Sequence, residues 1–315
     1  MDHIAILKHA AQTTLRHRAL WVLGFLWALV SGSGGFSGNF GNIGTTGFGE
    51  PMTWSPELTP WLLTALVVFL VLFCVLVPIA VVLSYVLWAG IGRVLDAWYT
   101  RQIPPTVGAG FREGWHRRTW RLFLLNLVVY VPVTLVFLAT LLVAASPLLL
   151  LLVEEDVATV IGVVMAIGLL IPTVLVWVVV FAVLAVLAQF WWRAVVLDDQ
   201  PISTALRYGW ELVRGRLRDV AIMWLLMFGV NLLLSMVLFV VFGLAAGLAL
   251  VVAGGPAWLL SRLTDSLVPA LLWGVPVGFV VLMLPTLFVT GLYLVFQTAV
   301  WNQVYRLMAG DAARS

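Results

Sequence analysis

The sequence predicts an all-α, polytopic membrane helix bundle of about six spans, arranged as three repeated units of an amphipathic interfacial helix plus a helical hairpin. Three observations predict it: an apolar composition, five stretches each long enough to cross a bilayer, and basic residues confined to alternate connections. Of the 315 residues, 63% are hydrophobic and 10% charged, and mean hydropathy is +1.10. A soluble domain carries about 25% charged residues and roughly half apolar ones. A soluble fold of this size has too little interior to hide the excess, so lipid must solvate much of it. The one cysteine, Cys74, lies in an apolar run, which excludes a disulfide framework or a cysteine metal site within the chain. The formal charge of +3 rests on 16 arginines and Lys8. These lie beside apolar stretches, so the predicted counter-charge is anionic lipid, with no nucleic-acid partner.

The long stretches are Thr59 to Ala89, Leu122 to Val153, Val157 to Trp192, Val220 to Gly254 and Leu267 to Val300. Each exceeds the ~20 residues that cross a bilayer. A sixth, Ala19 to Val30, is shorter. Arg16 and Arg18 before it and Ser31-Gly32-Ser33-Gly34 after it resemble the flanks of a secretory signal. The preceding segment is long and amphipathic and no A-x-A site follows, so a retained first helix is expected, whether it spans fully or re-enters. Val157 to Trp192 is 36 residues, or ~54 Å of helix, against a hydrocarbon core of ~30 Å. Breaks, kinks or projections are therefore expected, with Pro78, Pro132, Pro172, Pro276 and Pro285 as the places for them.

Charge fixes the expected orientation. Lys8, Arg16 and Arg18 precede the first stretch, and Arg93, Arg101, Arg112, Arg117, Arg118 and Arg121 separate the second and third. Arg193, Arg207, Arg214, Arg216 and Arg218 separate the fourth and fifth, and Arg306 and Arg314 follow the last. Only Arg262 falls on the other side, where Glu50, Glu57, Glu154, Glu155, Asp156 and Asp265 lie. The positive-inside rule then places both termini in the cytoplasm.

Within one membrane domain, 1–315, the repeat divides the chain at 1–98, 99–198 and 199–315, with a glycine-rich external loop at 31–58. Val107-Gly-Ala-Gly-Phe111-Arg112-Glu-Gly114-Trp115 aligns with Ile202-Ser-Thr-Ala-Leu206-Arg207-Tyr-Gly209-Trp210. Ile171-Pro172-Thr173 recurs as Leu284-Pro285-Thr286. Twenty positions after Pro78, Pro172 and Pro285 stand Trp98, Trp192 and Tyr305, which are expected at the inner interface one ~30 Å helix length away. After Pro201, apolar residues at Ile202, Leu206, Trp210, Val213 and Leu217 face polar ones at Arg207, Glu211, Arg214 and Arg218. Near the N-terminus, Ile4, Leu7, Ala11 and Leu15 stand against Lys8, Gln12 and Arg16. Such helices lie flat on a membrane surface. The headgroup contacts expected are Lys8, Arg16, Arg18, Arg112, Arg117, Arg118, Arg207, Arg214, Arg216 and Arg218.

The run Trp192-Arg193-Ala-Val-Val-Leu-Asp198-Asp-Gln-Pro201-Ile-Ser-Thr-Ala205-Leu-Arg-Tyr-Gly-Trp210, followed by an apolar span, carries a likeness. So does His17-Arg18-Ala19-Leu20-Trp21 at the entry to the first span. The pattern resembles the bacterial membrane region attached to some glycerophosphoryl diester phosphodiesterases, and its six-span relatives of unknown function. In such phosphodiesterases the chemistry sits in a separate soluble domain, for which these 315 residues leave no room. The resemblance implies an architecture and no reaction.

Candidate chemistry is sparse. Gly35-Phe36-Ser37-Gly38 matches G-x-S-G, but the histidines His3, His9, His17 and His116 all map to the opposite side from Ser37, so no base can reach it. The glycine-rich stretch lacks the Gly-Lys-Ser/Thr of a phosphate loop. Asp198-Asp199 suits a helix cap, or less readily a metal site. Asp96 and Glu113 are accounted for by ion pairs with Arg93 or Arg117. The span amides Asn126, Gln189, Asn231 and Gln297 are expected to join helices, and ionisable groups stay out of the depth of the stretches, against an ion-coupled carrier. A non-enzymatic scaffold or accessory protein without cofactor is expected, contacting anionic lipid and an unidentified membrane-protein partner. The alternatives are a transporter or lipid-handling protein for a neutral or amphipathic substrate, and a lipid-modifying enzyme using Asp198 and Asp199 with a metal.

Overall fold

A computed structural model of the protein describes residues 2–32, 59–152 and 156–312. The regular elements among them are all helical. They are α1 (His3–Arg16), α2 (Arg18–Ser31), α3 (Thr59–Arg101), α4 (Val107–Gly114), α5 (Arg117–Ala145) and α6 (Asp156–Leu197), then α7 (Ile202–Gly215), α8 (Leu217–Ala249), α9 (Gly255–Thr264) and α10 (Leu267–Ala312). A 3-10 turn, Ser146–Leu152, extends α5, and a π-helical turn, Leu250–Gly254, joins α8 to α9. Ser37, Glu50, Glu57, Glu154, Glu155 and Arg314, with most of the glycine-rich segment, lie outside the described residues.

Five helices are long and apolar enough to cross a membrane: α3, α5 with its extension, α6, α8 through α9, and α10. The most apolar window of α6 has none of its residues buried, and that of α10 only 28%. Lipid is the solvent for such surfaces, and helices are the form that pairs every backbone group without water. The chain is a multi-pass membrane protein. The 14 residues of α2 span only ~21 Å, short of the ~30 Å core.

The prolines do not break these helices. Pro78 lies inside α3, Pro132 inside α5, Pro172 inside α6, and Pro276 and Pro285 inside α10. A membrane helix tolerates the lost hydrogen bond because the rest of its ladder is made without competing water. The threonine after each proline bonds back along its own helix, Thr173 to the Leu169 carbonyl at 2.7 Å and Thr286 to the Leu282 carbonyl at 2.9 Å. Regular α-helix is interrupted instead at Ser146–Leu152 and Leu250–Gly254.

Two compact units form: Met1–His116 with Ala221–Arg306, and Arg117–Val220 with Leu307–Ser315. The first draws helices from all three of the repeat units expected from sequence, since α4 belongs to the second. In it, α2 packs against α3 and α10, burying Leu20, Leu23 and Ala28 completely. The α2–α10 contact is backbone on backbone, since a methyl added to Gly291 would lie 2.6 Å from the Gly24 carbonyl carbon. The short α4 wedges beside α3 through Gly110 against Gly90 and Gly114 against the Val86 carbonyl. In the second unit α5 and α6 pair along Phe137, Trp177 and Phe181, and the Trp177 indole donates to the Thr140 hydroxyl at 2.8 Å.

Candidate functional site

The short helices α1, α4 and α7 carry most of the candidate residues, and each begins at a definable stop. Helix α3 ends where Gln102 turns left-handed (φ 56°), with Ile103 N–H donating to the Ala97 carbonyl. Helix α6 ends the same way at Asp199 (φ 55°), with Gln200 N–H donating to the Ala194 carbonyl. In both, the residue after a left-handed cap reaches back six positions, and Gln102 N–H also donates to the Trp98 carbonyl at 3.1 Å, as in an αL cap. Thr106 then caps α4 by accepting from Ala109 N–H, and Pro201 opens α7. At the start of the chain, Asp2 caps α1 by accepting from Ala5 N–H at 3.0 Å.

These helices meet protein through small residues and a few aliphatic ones. Helix α1 buries Ile6, Ala10, Thr13 and Thr14, α4 buries Gly110 and Gly114, and α7 buries Ala205, Gly209, Leu212 and Val213. The large apolar residues read as one face divide between protein and the outside. Ile4 and Leu15 of α1 are exposed, as are Trp115 after α4, Trp210 of α7 and Leu217. The reason is steric. Gly209 fits against the Trp191 ring, where a methyl would come within 2.5 Å of Cδ1, and the Trp191 indole donates to the Leu206 carbonyl at 3.0 Å. A bulky side chain on that face would lift the helix off.

Beside the exposed apolar residues lie exposed cations. Lys8, Arg16, Arg18, Arg112, Arg117, Arg207, Arg214 and Arg218 are all exposed, although Arg207 also pairs with Glu211 one turn on. Arg118 and Arg216 are half-buried. Arg118 Nε sits 2.9 Å from Asp199 Oδ1, which also takes Arg121 Nη1 at 3.0 Å. Two guanidiniums on one carboxylate oxygen leave Asp199 as a cap that ties α5 to the α6–α7 turn.

The other expected residues separate by role. Trp192 stays partly exposed and its indole donates to Asn126 Oδ1 at 2.8 Å, so Asn126 does join α5 to α6. Trp98 is also partly exposed, under the edge of the His17 ring. Tyr305, expected at the interface, is a core residue with 0% exposure. Gln189 is engaged by Arg193 of its own helix, and the exposed Asn231 accepts through its carbonyl from Ser235. Gln297 is half-buried. Glu113 pairs with Arg93 at 3.1 Å, whereas Asp96 is held by Arg306 through Nε at 2.7 Å and Nη2 at 2.8 Å.

Of two further polar groups of structural weight, Asn302 went unmarked in the sequence and Arg193 was counted only among its basic residues. Asn302, 1% exposed, donates to the Gly92 carbonyl at 2.8 Å. Arg193, 3% exposed, donates to the Gln189 backbone and side-chain oxygens. Spacing could have found the first: Gly92 and Asp96 on α3 are one turn apart, as are Asn302 and Arg306 on α10.

His17 supplies a pH-sensitive joint between α1 and α2. Its ring centroid lies 4.5 Å from that of Trp98. Burial, and secondly the Arg16 charge, hold the imidazole below its ordinary 6.5. The folded chain thus favours the neutral ring. The stabilisation is complete above pH 6.5 and is lost as pH falls through the lower folded-state value. Melting temperatures at pH 7.5 and pH 5 in detergent should show a wild-type decline that is smaller in His17→Phe.

Membrane-length helices flanked by short basic, aromatic helices define a multi-pass membrane protein with a charged and apolar fringe. The chain belongs to a family of unknown function, DUF7544, which matches residues 10–309. No curated protein and no solved structure matches it.

Proposed function

We propose that the protein is a non-enzymatic accessory or scaffold of a bacterial cytoplasmic membrane, with both termini inside, that gathers anionic lipid along α1, α4 and α7. One observation carries this reading. Each short helix seats small residues against protein, with Ile6, Leu212 and Val213 beside them, and keeps other bulky apolar and basic side chains outward, as Trp210 does beside Arg207 and Arg214. That is how an interfacial helix meets headgroups and acyl chains together. The matched stops at Gln102 and Asp199 and the back-bonded threonines after Pro172 and Pro285 support the repeated unit, and the six-span reading counts the short α2 as the sixth. Likeness to the membrane region of glycerophosphoryl diester phosphodiesterases adds an architecture and no chemistry. The arginine pair on Asp199 favours a cap over a metal ligand, which weighs against the lipid-modifying enzyme.

The test replaces Arg207, Arg214 and Arg218 by glutamine and measures enrichment of spin-labelled phosphatidylglycerol over phosphatidylcholine around the purified protein. An arginine at an anionic surface contributes about 1 kcal/mol, or roughly fivefold in local affinity. Enrichment should fall several-fold, and wild-type enrichment should fall with added salt. Unchanged enrichment in the triple variant would refute the reading.

A further inference from the structure

A second lipid site follows from the far end of the first unit. Helix α10 pairs with α3 through Asn302 and Arg306 near one end, and begins at Leu267 near the other. About 40 residues separate these points, or roughly 60 Å of helix. At the Leu267 end the α8–α9 segment and α10 flank an open apolar groove of about 580 Å³. Such a volume suits a single small or chain-like ligand. Its floor is made of small residues, Ala249, Ala253 and Ala257 on one side and Gly274 and Gly278 on the other. The two helices are close below it, since a methyl on Gly274 would lie 3.0 Å from Ala257 Cβ. The π-helical turn Leu250–Gly254, closed by Gly255 N–H donating to the Leu250 carbonyl, lies in the same wall. Such turns are frequent where helices accommodate function.

Charge identifies the occupant. Trp258 and Ser261 line one end of the groove, and the Arg262 guanidinium stands 5.7 Å from the Trp258 ring centroid. Arg262 is the single basic residue that falls outside the basic connections of the sequence. It is exposed, and the indole on which it stacks is an interfacial side chain by nature. The Ser261 proton is committed to the Trp258 carbonyl at 2.7 Å, and Arg262, stacked on the lining Trp258, supplies the positive charge at this end. An apolar trough ending in one cation is complementary to an acyl chain ending in a phosphate. We propose that the groove holds one acyl chain of an anionic phospholipid, with the headgroup phosphate on Arg262. This site lies on residues other than the basic fringe of α1, α4 and α7, so the two readings stand or fall separately.

The probe is phosphatidylglycerol bearing a diazirine in its acyl chain, with phosphatidylcholine of the same chain for comparison, in nanodiscs holding the full-length protein. Labelled peptides from wild type should concentrate on 249–258 and 270–278, several-fold more with phosphatidylglycerol. Gly254→Leu fills the groove without a clash, because nothing lies within 4 Å of an added Cβ there. It should lower groove labelling about tenfold at an unchanged melting temperature. Arg262→Gln should leave labelling in place and equalise the two lipids. The triple glutamine variant of Arg207, Arg214 and Arg218 should label the groove as wild type does. Equal labelling by both lipids in wild type would overturn the proposal. So would undiminished labelling in Gly254→Leu. An Ala257→Cys variant that crosslinks copy to copy and loses lipid labelling would place a second chain there and refute it too.

Discussion

Gly24→Ala is expected to unfold the first unit at temperatures where wild type is intact. A single methyl on Gly24 is directed at the Gly291 backbone carbonyl and would lie 2.7 Å from Val295 Cγ2. The reverse contact is equally close, with a Gly291 methyl 2.6 Å from Phe25 N. A flexible side chain could swing away, but here both surfaces are helix backbone, so α2 and α10 must separate. Leu20, Leu23 and Val295, all at 0% exposure, lose packing together. Overpacking of this kind costs about 1–3 kcal/mol, and ~3 kcal/mol corresponds to a melting shift of ~10 °C in a domain of this size. Gly243→Ala is the internal control, because nothing lies within 4 Å of its added Cβ. It should melt with wild type in fluorescence-detected size exclusion, while Gly24→Ala loses ~10 °C or its monodisperse peak. Equal melting of the two variants would remove the backbone contact from the account.

The membrane helices were legible because hydropathy reports the solvent. All five long apolar stretches fall inside α3, α5 with its extension, α6, α8 with its π turn, and α10, apart from the last residue of Leu122–Val153, which lies outside the described residues. Their ends were less legible. The first long stretch stops at Ala89, yet α3 continues to Arg101. Past Ala89 the helix carries Arg93 and Asp96, which satisfy partners on α4 and α10. Hydropathy drops where the greasy surface ends, whereas the helix ends where Gln102 turns left-handed. The prolines misled for a related reason. Pro172 removes one hydrogen bond from a 42-residue helix, and the many that remain are stronger without competing water.

Helix faces follow a different rule in lipid than in water. In water the large apolar residues of an amphipathic helix seek protein. In lipid they need not, and close approach selects small residues instead. Thus Gly110, Gly114, Ala205 and Gly209 are buried while Trp115 and Trp210 are exposed. Nor does local pattern reveal that the beginning and end of the chain meet. The Asn302 contact with Gly92 crosses 210 positions, a pairing hydropathy cannot encode. What the sequence does hold is the matched one-turn spacing of two donors and two acceptors.

That clamp yields the second large effect. Asn302→Leu is expected to cost about 1–3 kcal/mol, because it removes a buried amide bonded across helices. The neighbouring Arg306–Asp96 pair is two-pronged but retains 36% and 18% side-chain exposure, so solvent screens it. Its coupling is about 1 kcal/mol on that account. A double-mutant cycle separates the two effects. Asp96→Ala and Arg306→Ala should each lower the melting temperature, and the double variant should lose less than their sum, because neither charge is then left alone. Adding Asn302→Leu to that double variant should cost nearly its full single-variant amount if amide and ion pair clamp α3 to α10 separately. Strict additivity of Asp96→Ala and Arg306→Ala would show that the fork is not an energetic contact. A negligible cost for Asn302→Leu would leave the long-range pairing of α3 and α10 to apolar packing alone.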